Sequence, residues 1–247
     1  MRVAALADVH GNAPALAAVL AEASYEEPDR FVFLGDLTWG SFPAETLDLV
    51  RPLAGRSLFL RGNADRNLVA FWDRIDEGDE SVTERERWMV ERHTREDRDF
   101  LAVFQDSVSL EVEGLGPTRF CHGSPRSVDE LVTEETPESR LAQLLDGMGE
   151  GTLVTGHSHV SYERHALGKR LLNPGSIGRP YEGQRGAYWA LLGPGVDFRR
   201  TEYDVDATVE RMLRTGAPAE QEVAQVLLEP PSRAEAVAHA ESRVFSA

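Results

Sequence analysis

Aspartate, histidine and asparagine recur in this sequence at spacings suited to metal coordination. The motifs are Asp8-Val9-His10-Gly11-Asn12, Gly35-Asp36, Gly62-Asn63-Ala64-Asp65, His122-Gly123 and Gly156-His157-Ser158-His159. Asp8 and His10 are two residues apart, as are His157 and His159. In a loop, that spacing lets both side chains reach one centre. Carboxylate oxygens and imidazole nitrogens without thiolate suit borderline divalent metals such as Mn, Fe or Zn. A carboxylate between two metals can bridge them, and Asp36 is the natural candidate. Each motif alone is weak, since a GD dipeptide carries almost no information and a lone His122 reads as an ordinary rim histidine. Their joint occurrence is stronger, and four of the seven histidines fall inside it.

These residues need elements that bring them together. Apolar runs at 3–7, 31–34 and 57–60 read as buried strands, and each stops at or just before a motif. Ala13, Leu16, Ala17, Leu20 and Ala23 predict a helix over 13–23, with Asn12 as its cap. A second helix is expected at about 44–53. Strand, helix, strand, helix, strand is the signature of an α/β fold with a largely parallel sheet. In such sheets ligand groups sit beyond the carboxyl ends of the strands, so the motifs are expected to converge in one crevice.

Residues 71–106 break the rhythm. The stretch is charge-dense, with Trp72, Trp88, Val90, Phe100, Leu101 and Phe104 as its apolar contacts. It reads as a helical insertion, either a lid over the site or a solvated helical pair. A hairpin is expected from 108–112 and 118–122, a helix at 137–146 and a short strand at 152–155. Further strands are expected at about 163–166, 170–172, 186–192 and 196–203. A helix follows from Val205, and another lies beyond Pro231. No Pro/Gly/Ser linker divides the 247 residues, so a single domain over 1–247 is expected.

Composition narrows the function. Lys and Arg number 26 against 42 Asp and Glu, a formal charge of −16, with Lys169 the one lysine. Holding duplex DNA needs a clustered cationic excess, so no nucleic acid polymer is expected as partner. The single cysteine, Cys121, excludes an intrachain disulfide and a Cys-rich zinc ribbon. No stretch approaches the roughly 20 apolar residues of a membrane span, and the apolar start is cut at Asp8. No membrane partner and a cytoplasmic location are therefore the expectations.

The ordered set DxH, GD, GN, H and GHxH resembles the calcineurin-like metallophosphoesterases. Asn173-Pro174-Gly175-Ser176-Ile177-Gly178 and the opening DVHGNAPALAAVL resemble the small bacterial branch of that superfamily. The resemblance implies a four-layer α/β/β/α sandwich of two mixed β-sheets, with the insertion at about 71–106. It also implies a hydrolase with two divalent metal ions, drawn from Mn, Fe, Zn or Ni. Asp8, His10, Asp36 and His159 would hold the first metal, and Asp36, Asn63, His122 and His157 the second. Asp36, Asn63 and His122 would be catalytic through the metals they hold. Two cations about 3.5–4 Å apart can clamp a phosphoryl oxygen and supply a bridging hydroxide for in-line attack.

The implied substrate is a small phosphate ester, of phosphodiester or nucleotide type. The alternatives are a dinucleoside polyphosphate hydrolase, a protein phosphatase, and, ranked low, a non-catalytic scaffold of the same fold. One departure matters. Many members read GNH, and that histidine is taken to protonate the leaving group; here the position is Ala64. A metal-bound water or a protonated Asp65 would have to serve instead. Without an acid, esters with good leaving groups are favoured.

Asn12, Asp65, Arg66 and Arg179 are candidates for substrate contact. Against that stand a helix cap for Asn12 and ordinary solvated arginines for the other two cations. Tyr181 lines the pocket or simply packs. Ser176 caps a loop. His93, His165 and His239 lie outside the motifs and are expected to be solvated, and Cys121 to be buried packing.

Overall fold

The apolar runs at β1 (Val3–Leu6), β2 (Arg30–Phe33) and β3 (Ser57–Phe59) pair in parallel, as their alternation with helices requires. In the computed structural model, which describes residues 1–243, two later strands join them. β9 (Ala187–Leu192) lies antiparallel beside β1, and β10 (Val196–Thr201) beside β9. The first sheet therefore runs β10-β9-β1-β2-β3.

The second sheet holds β4 (Ser107–Val112), β5 (Gly116–Cys121), β6 (Thr152–Val154), β7 (Ser161–Ala166) and β8 (Lys169–Pro174). Its order is β4-β5-β6-β8-β7, with β5, β6 and β8 parallel and both edges antiparallel. Both sheets are mixed.

Strand alternation builds the layers. Val3, Ala5, Ala7, Val32 and Leu34 point toward the second sheet and meet Phe120, Val154 and Leu172. Ala4, Leu6, Phe31 and Phe33 point the other way, into α1 (Ala13–Tyr25) and α2 (Pro43–Val50). On the far side, Leu153, Leu171 and Cys121 pack against α6 (Glu138–Leu144). The result is the expected α/β/β/α sandwich. Cys121 is buried as expected, and burial pushes its thiol up to about 12.

The insertion is neither of the two things the sequence offered. It comprises the end of α3 (Asn63–Asp76), α4 (Glu84–Val90) and α5 (Arg95–Ala102). Phe100 and Phe104 close on Phe59 at 5.2 Å between ring centroids, so the helices extend the core past the β3 edge. Their charge density comes from solvated faces opposite an aromatic seam. None of residues 71–106 lines the cavity described below.

His93 corrects a second expectation, because it is buried rather than solvated. Its Nδ1 lies 2.9 Å from the Met89 carbonyl and its Nε2 3.0 Å from the Thr38 hydroxyl. That bond ties the insertion to the loop after Asp36. Burial pushes the ring below its ordinary 6.5, with the Met89 carbonyl and Asp97 only partly opposing. The unfolded chain thus binds this proton more readily than the folded one. The stability His93 contributes is present above about pH 6.5 and is lost as pH falls below it. Between pH 7 and 5, urea unfolding should show a steeper loss of stability for the wild type than for His93→Gln. Equal slopes would place the ring's titration elsewhere.

Beyond β10 come α7 (Val205–Arg214), α8 (Glu220–Leu228) and α9 (Arg233–Arg243). Val205, Val209 and Met212 of α7 pack with Val223, Ala224 and Leu227 of α8 over Ala13 and Phe42. Among the described residues, no helix is long and apolar enough to cross a membrane.

Candidate metal centre

The chain leaves β1, β2, β3, β5 and β6 at their carboxyl ends, and every motif sits in one of those exits. Two buried ligand groups result. Asp8, His10 and His159 form one; Asp36, His122 and His157 form the other. Within each group the ligand atoms lie within 4.8 Å of one another. Asn63, the first residue of α3, places its Oδ1 3.0 Å from His122 Nε2 and so joins the second group.

Asp36 faces both groups. One of its oxygens lies 3.6 Å from His10 Nε2 and the other 3.6 Å from His122 Nε2. The Ala64 N–H donates to Oδ1 at 2.8 Å, which fixes the carboxylate plane.

The backbone is bent hard to achieve this. Asp8, His10, Asp36, His157 and His159 all have positive φ, between 48° and 66°. Only eight non-glycine residues do so in the described chain, so five of eight are candidate ligands. Each such residue costs on the order of 1–3 kcal/mol, and strain of this kind collects at functional sites.

A hydrogen-bonded frame holds the bends. His10 N–H donates to the Asp36 carbonyl at 2.8 Å, and Gly178 N–H to the Asp8 carbonyl at 2.9 Å. The Ser176 hydroxyl donates to that same carbonyl, and Asn173 Nδ2 donates to the Gly156 carbonyl at 2.7 Å. The Asn173–Gly178 loop thus locks the Asp8 and His157 loops together. Two glycines are required by contact: a Cβ on Gly178 would lie 1.9 Å from the Val9 carbonyl oxygen, and one on Gly62 2.1 Å from Asp36 Oδ1.

The donor set fits cations. His159 spends its Nδ1–H on the Arg179 carbonyl at 2.8 Å, and His122 its Nδ1–H on the Leu34 carbonyl at 2.7 Å. Each then turns its Nε2 toward the other candidate ligand atoms. His159 Nε2 faces His10 Nε2 at 3.1 Å and Asp8 Oδ1 at 3.3 Å. Lone pairs gathered this closely need positive charge between them. Burial, with Arg179 and His159 adding to it, holds His10 well below the usual histidine range. Burial and the neighbouring His122 push His157 down to about 3. Both rings are therefore neutral and free to ligate. Burial tends to raise Asp8, but His159, His122 and His157 outweigh it and hold the carboxyl low.

The four candidates for substrate contact fare differently. Asn12 is a helix cap: its Oδ1 accepts from Ala15 N–H, and its amide donates to the Gly178 carbonyl and the Tyr203 hydroxyl. Nothing of that amide is left for substrate. Asp65 is buried, and its carboxylate accepts three backbone N–H groups, from Asp36, Leu37 and Gly62, at 2.8–2.9 Å. It is not among the residues that line the cavity over the ligand groups. Burial and the nearby Asp36 push it up to about 6, against the pull of those N–H groups. Arg66 closes bidentately on Asp129 at 2.6 and 3.0 Å and also leaves the cavity wall. Arg179 alone of the four lines the cavity, and its Nε is shielded without a partner.

The cavity has a volume of about 500 Å³, with His10, Asp36, Asn63, His157 and His159 on its floor. Tyr181 stacks on His159 with centroids 4.8 Å apart and forms a wall. Sequence reasoning missed the opposite wall, which α8 and α9 supply through residues such as Val226, Ala236 and His239. His239 was expected to be merely solvated; it is exposed, but into the cavity mouth.

The calcineurin-like phosphoesterase superfamily domain matches residues 1–192 of this chain, and the chain belongs to that superfamily. It is a phosphoesterase hydrolase by that membership. A metallophosphoesterase from Sphaerobacter thermophilus is 25% identical, with a TM-score of 0.74 over 93% of this chain and 99% of that one. Hypothetical protein PH1004 from Pyrococcus horikoshii OT3 shares the fold, with a TM-score of 0.78 at 23% identity, covering 94% of this chain and 99% of its own. Uncharacterized protein MJ0912 from Methanocaldococcus jannaschii is 24% identical over 236 residues, covering 87% of this chain and 93% of its own.

Proposed function

We propose that the protein is a dinuclear metal-dependent phosphoesterase that hydrolyses small phosphate esters of phosphodiester or nucleotide type. The observation that carries this reading is the position of Asp36, whose two oxygens reach separate ligand groups. Asp8, His10, Asp36 and His159 would hold one divalent ion, and Asp36, Asn63, His122 and His157 the other. Two such ions supply Lewis acidity toward phosphoryl oxygens and activate water for in-line attack.

The chain's own residues do the rest. The carbonyls of Leu34 and Arg179 fix the tautomers of His122 and His159, so the ligand nitrogens are set before substrate arrives. Arg179 offers a guanidinium at the cavity wall, where it can orient a phosphoryl oxygen. Ala64 donates no side-chain proton and Asp65 is spent on backbone, so activated esters are favoured. A scaffold protein would be free to lose ligands; here every position is filled.

Elemental analysis of the protein reconstituted with Mn²⁺ is expected to find about two ions per chain. Hydrolysis of bis(4-nitrophenyl) phosphate should then depend on Mn²⁺ and be lost in His122→Ala. Metal content well below one ion per chain, or equal rates in wild type and His122→Ala, would overturn the proposal.

A further inference from the structure

The superfamily match ends at residue 192, and helix α9 lies wholly outside it. Yet Ala236, His239, Ala240 and Arg243 of α9 all line the cavity. Their spacing of i, i+3, i+4 and i+7 places them on one face of the helix. The helix is firmly seated. Arg233 pairs with Glu182 at 2.9 Å and with Glu134 at 3.2 Å. Near its other end, Glu241 Oε1 accepts the hydroxyls of Thr133 and Thr136 at 2.5 and 2.7 Å. Such anchors at both ends make α9 a fixed wall.

Charge on that wall is the informative feature. Arg179 and Arg243 both line the cavity, and neither has a carboxylate at ion-pairing distance among the described residues, although the charge of Glu220 acts on Arg179. Arg66, by contrast, is closed by Asp129. Two acidic groups lie nearby, and neither closes an ion pair on Arg243. Glu235 is spent on the Ser232 N–H and hydroxyl. Glu220 binds the Ser41 hydroxyl. The scissile phosphoryl is served by the ligand groups and, at most, one arginine. A second cation left open in the same cavity matches a second negative charge on the ligand.

We infer that α9 is the specificity wall of the site, and that Arg243 binds a second phosphoryl group of a nucleotide-type ligand while the scissile one lies over the ligand groups. The apolar surface of Val226, Ala236 and Ala240 accommodates the ligand's organic part. This rests on the phosphoesterase reading for which phosphoryl is scissile, but binding tests it without turnover.

Calorimetry on the full-length, Mn²⁺-saturated protein should show ADP binding about tenfold more tightly than AMP, the increment of one charge-assisted contact. In Arg243→Ala the ratio should collapse to about two or less, and Arg243→Lys should restore part of it. Because Arg243 is exposed at the end of a helix, an unchanged thermal midpoint is expected to accompany the change. Equal affinities for ADP and AMP in the wild type would overturn the inference. So would a ratio that survives Arg243→Ala. A protein that discriminates ADP from AMP through Arg243 yet hydrolyses no ester would sink the activity and leave this recognition standing.

Discussion

Asp36→Ala is expected to abolish turnover more completely than loss of any other single ligand, by about 10³-fold or more in kcat/KM. The reason is geometric. Each of the other ligands serves one group, whereas the Asp36 oxygens sit 3.6 Å from His10 on one side and 3.6 Å from His122 on the other. Removing the carboxylate also strands the Ala64 N–H, which now donates to Oδ1. Metal content should fall with activity, since two neighbouring cations would lose their shared anion and face each other's charge directly. Steady-state kinetics on bis(4-nitrophenyl) phosphate, with metal analysis of the same preparation, checks both halves. A variant that keeps its full metal complement and more than a tenth of wild-type kcat/KM would show that Asp36 does not bridge.

Asp65→Ala should have the second largest effect, although Asp65 ligates nothing. Its carboxylate gathers N–H groups from Asp36, Leu37 and Gly62 and so straps the loop after β2 to the start of α3. Three buried donors would lose their acceptor at once. At about 1–3 kcal/mol for each stranded group, partly relieved by relaxation, the expected loss is about 3–5 kcal/mol. Asp65→Asn should recover only part, because its amide presents donors to a pocket that needs acceptors. Metal affinity should fall by about 10–100-fold in either variant, as when a group that orients a ligand is removed. Denaturant unfolding without metal, followed by metal titration of the folded variant, separates the two effects. Unchanged stability would mean that the loops are held without this strap.

The convergence of the candidate ligands was legible in the sequence because parallel strands impose it. Asp8, Asp36, Asn63, His122 and His157 each follow a strand, and parallel neighbours end on the same side of a sheet. What a polar residue does once it arrives there was not legible. Asp65 has the type and position of a substrate contact, yet its oxygens are turned onto backbone N–H groups, whereas Asn12 caps α1 as its place before the helix indicated. Side-chain direction depends on loops that bend through positive φ, and no periodicity reports that.

The cavity wall was hidden for a different reason. An apolar stripe on a helix shows that it packs, not upon which surface. The aromatic stripe of 71–106 found the β3 edge, while Ala236 and Ala240 of α9 came to the cavity across the whole length of the chain. The order of the sheets had the same limit: nothing in the sequence placed β9 directly beside β1.

The two ligand groups are not divided between the two sheets. Asp8 and His10 leave the first sheet but are completed by His159 from the second; Asp36 leaves the first and is completed by His122 and His157 from the second. The interface between the sheets is a greasy seam of small and branched side chains such as Ala5, Val32 and Val154, crossed at its ends by backbone bonds such as Glu113 N–H to the Met1 carbonyl and Gly178 N–H to the Asp8 carbonyl, both at 2.9 Å. With ions bound, the two groups would act there as a pair of rivets through both plates. Alignment of the sandwich and alignment of its chemistry become a single mechanical property, and a slip of one layer by an ångström would be felt at both rivets together.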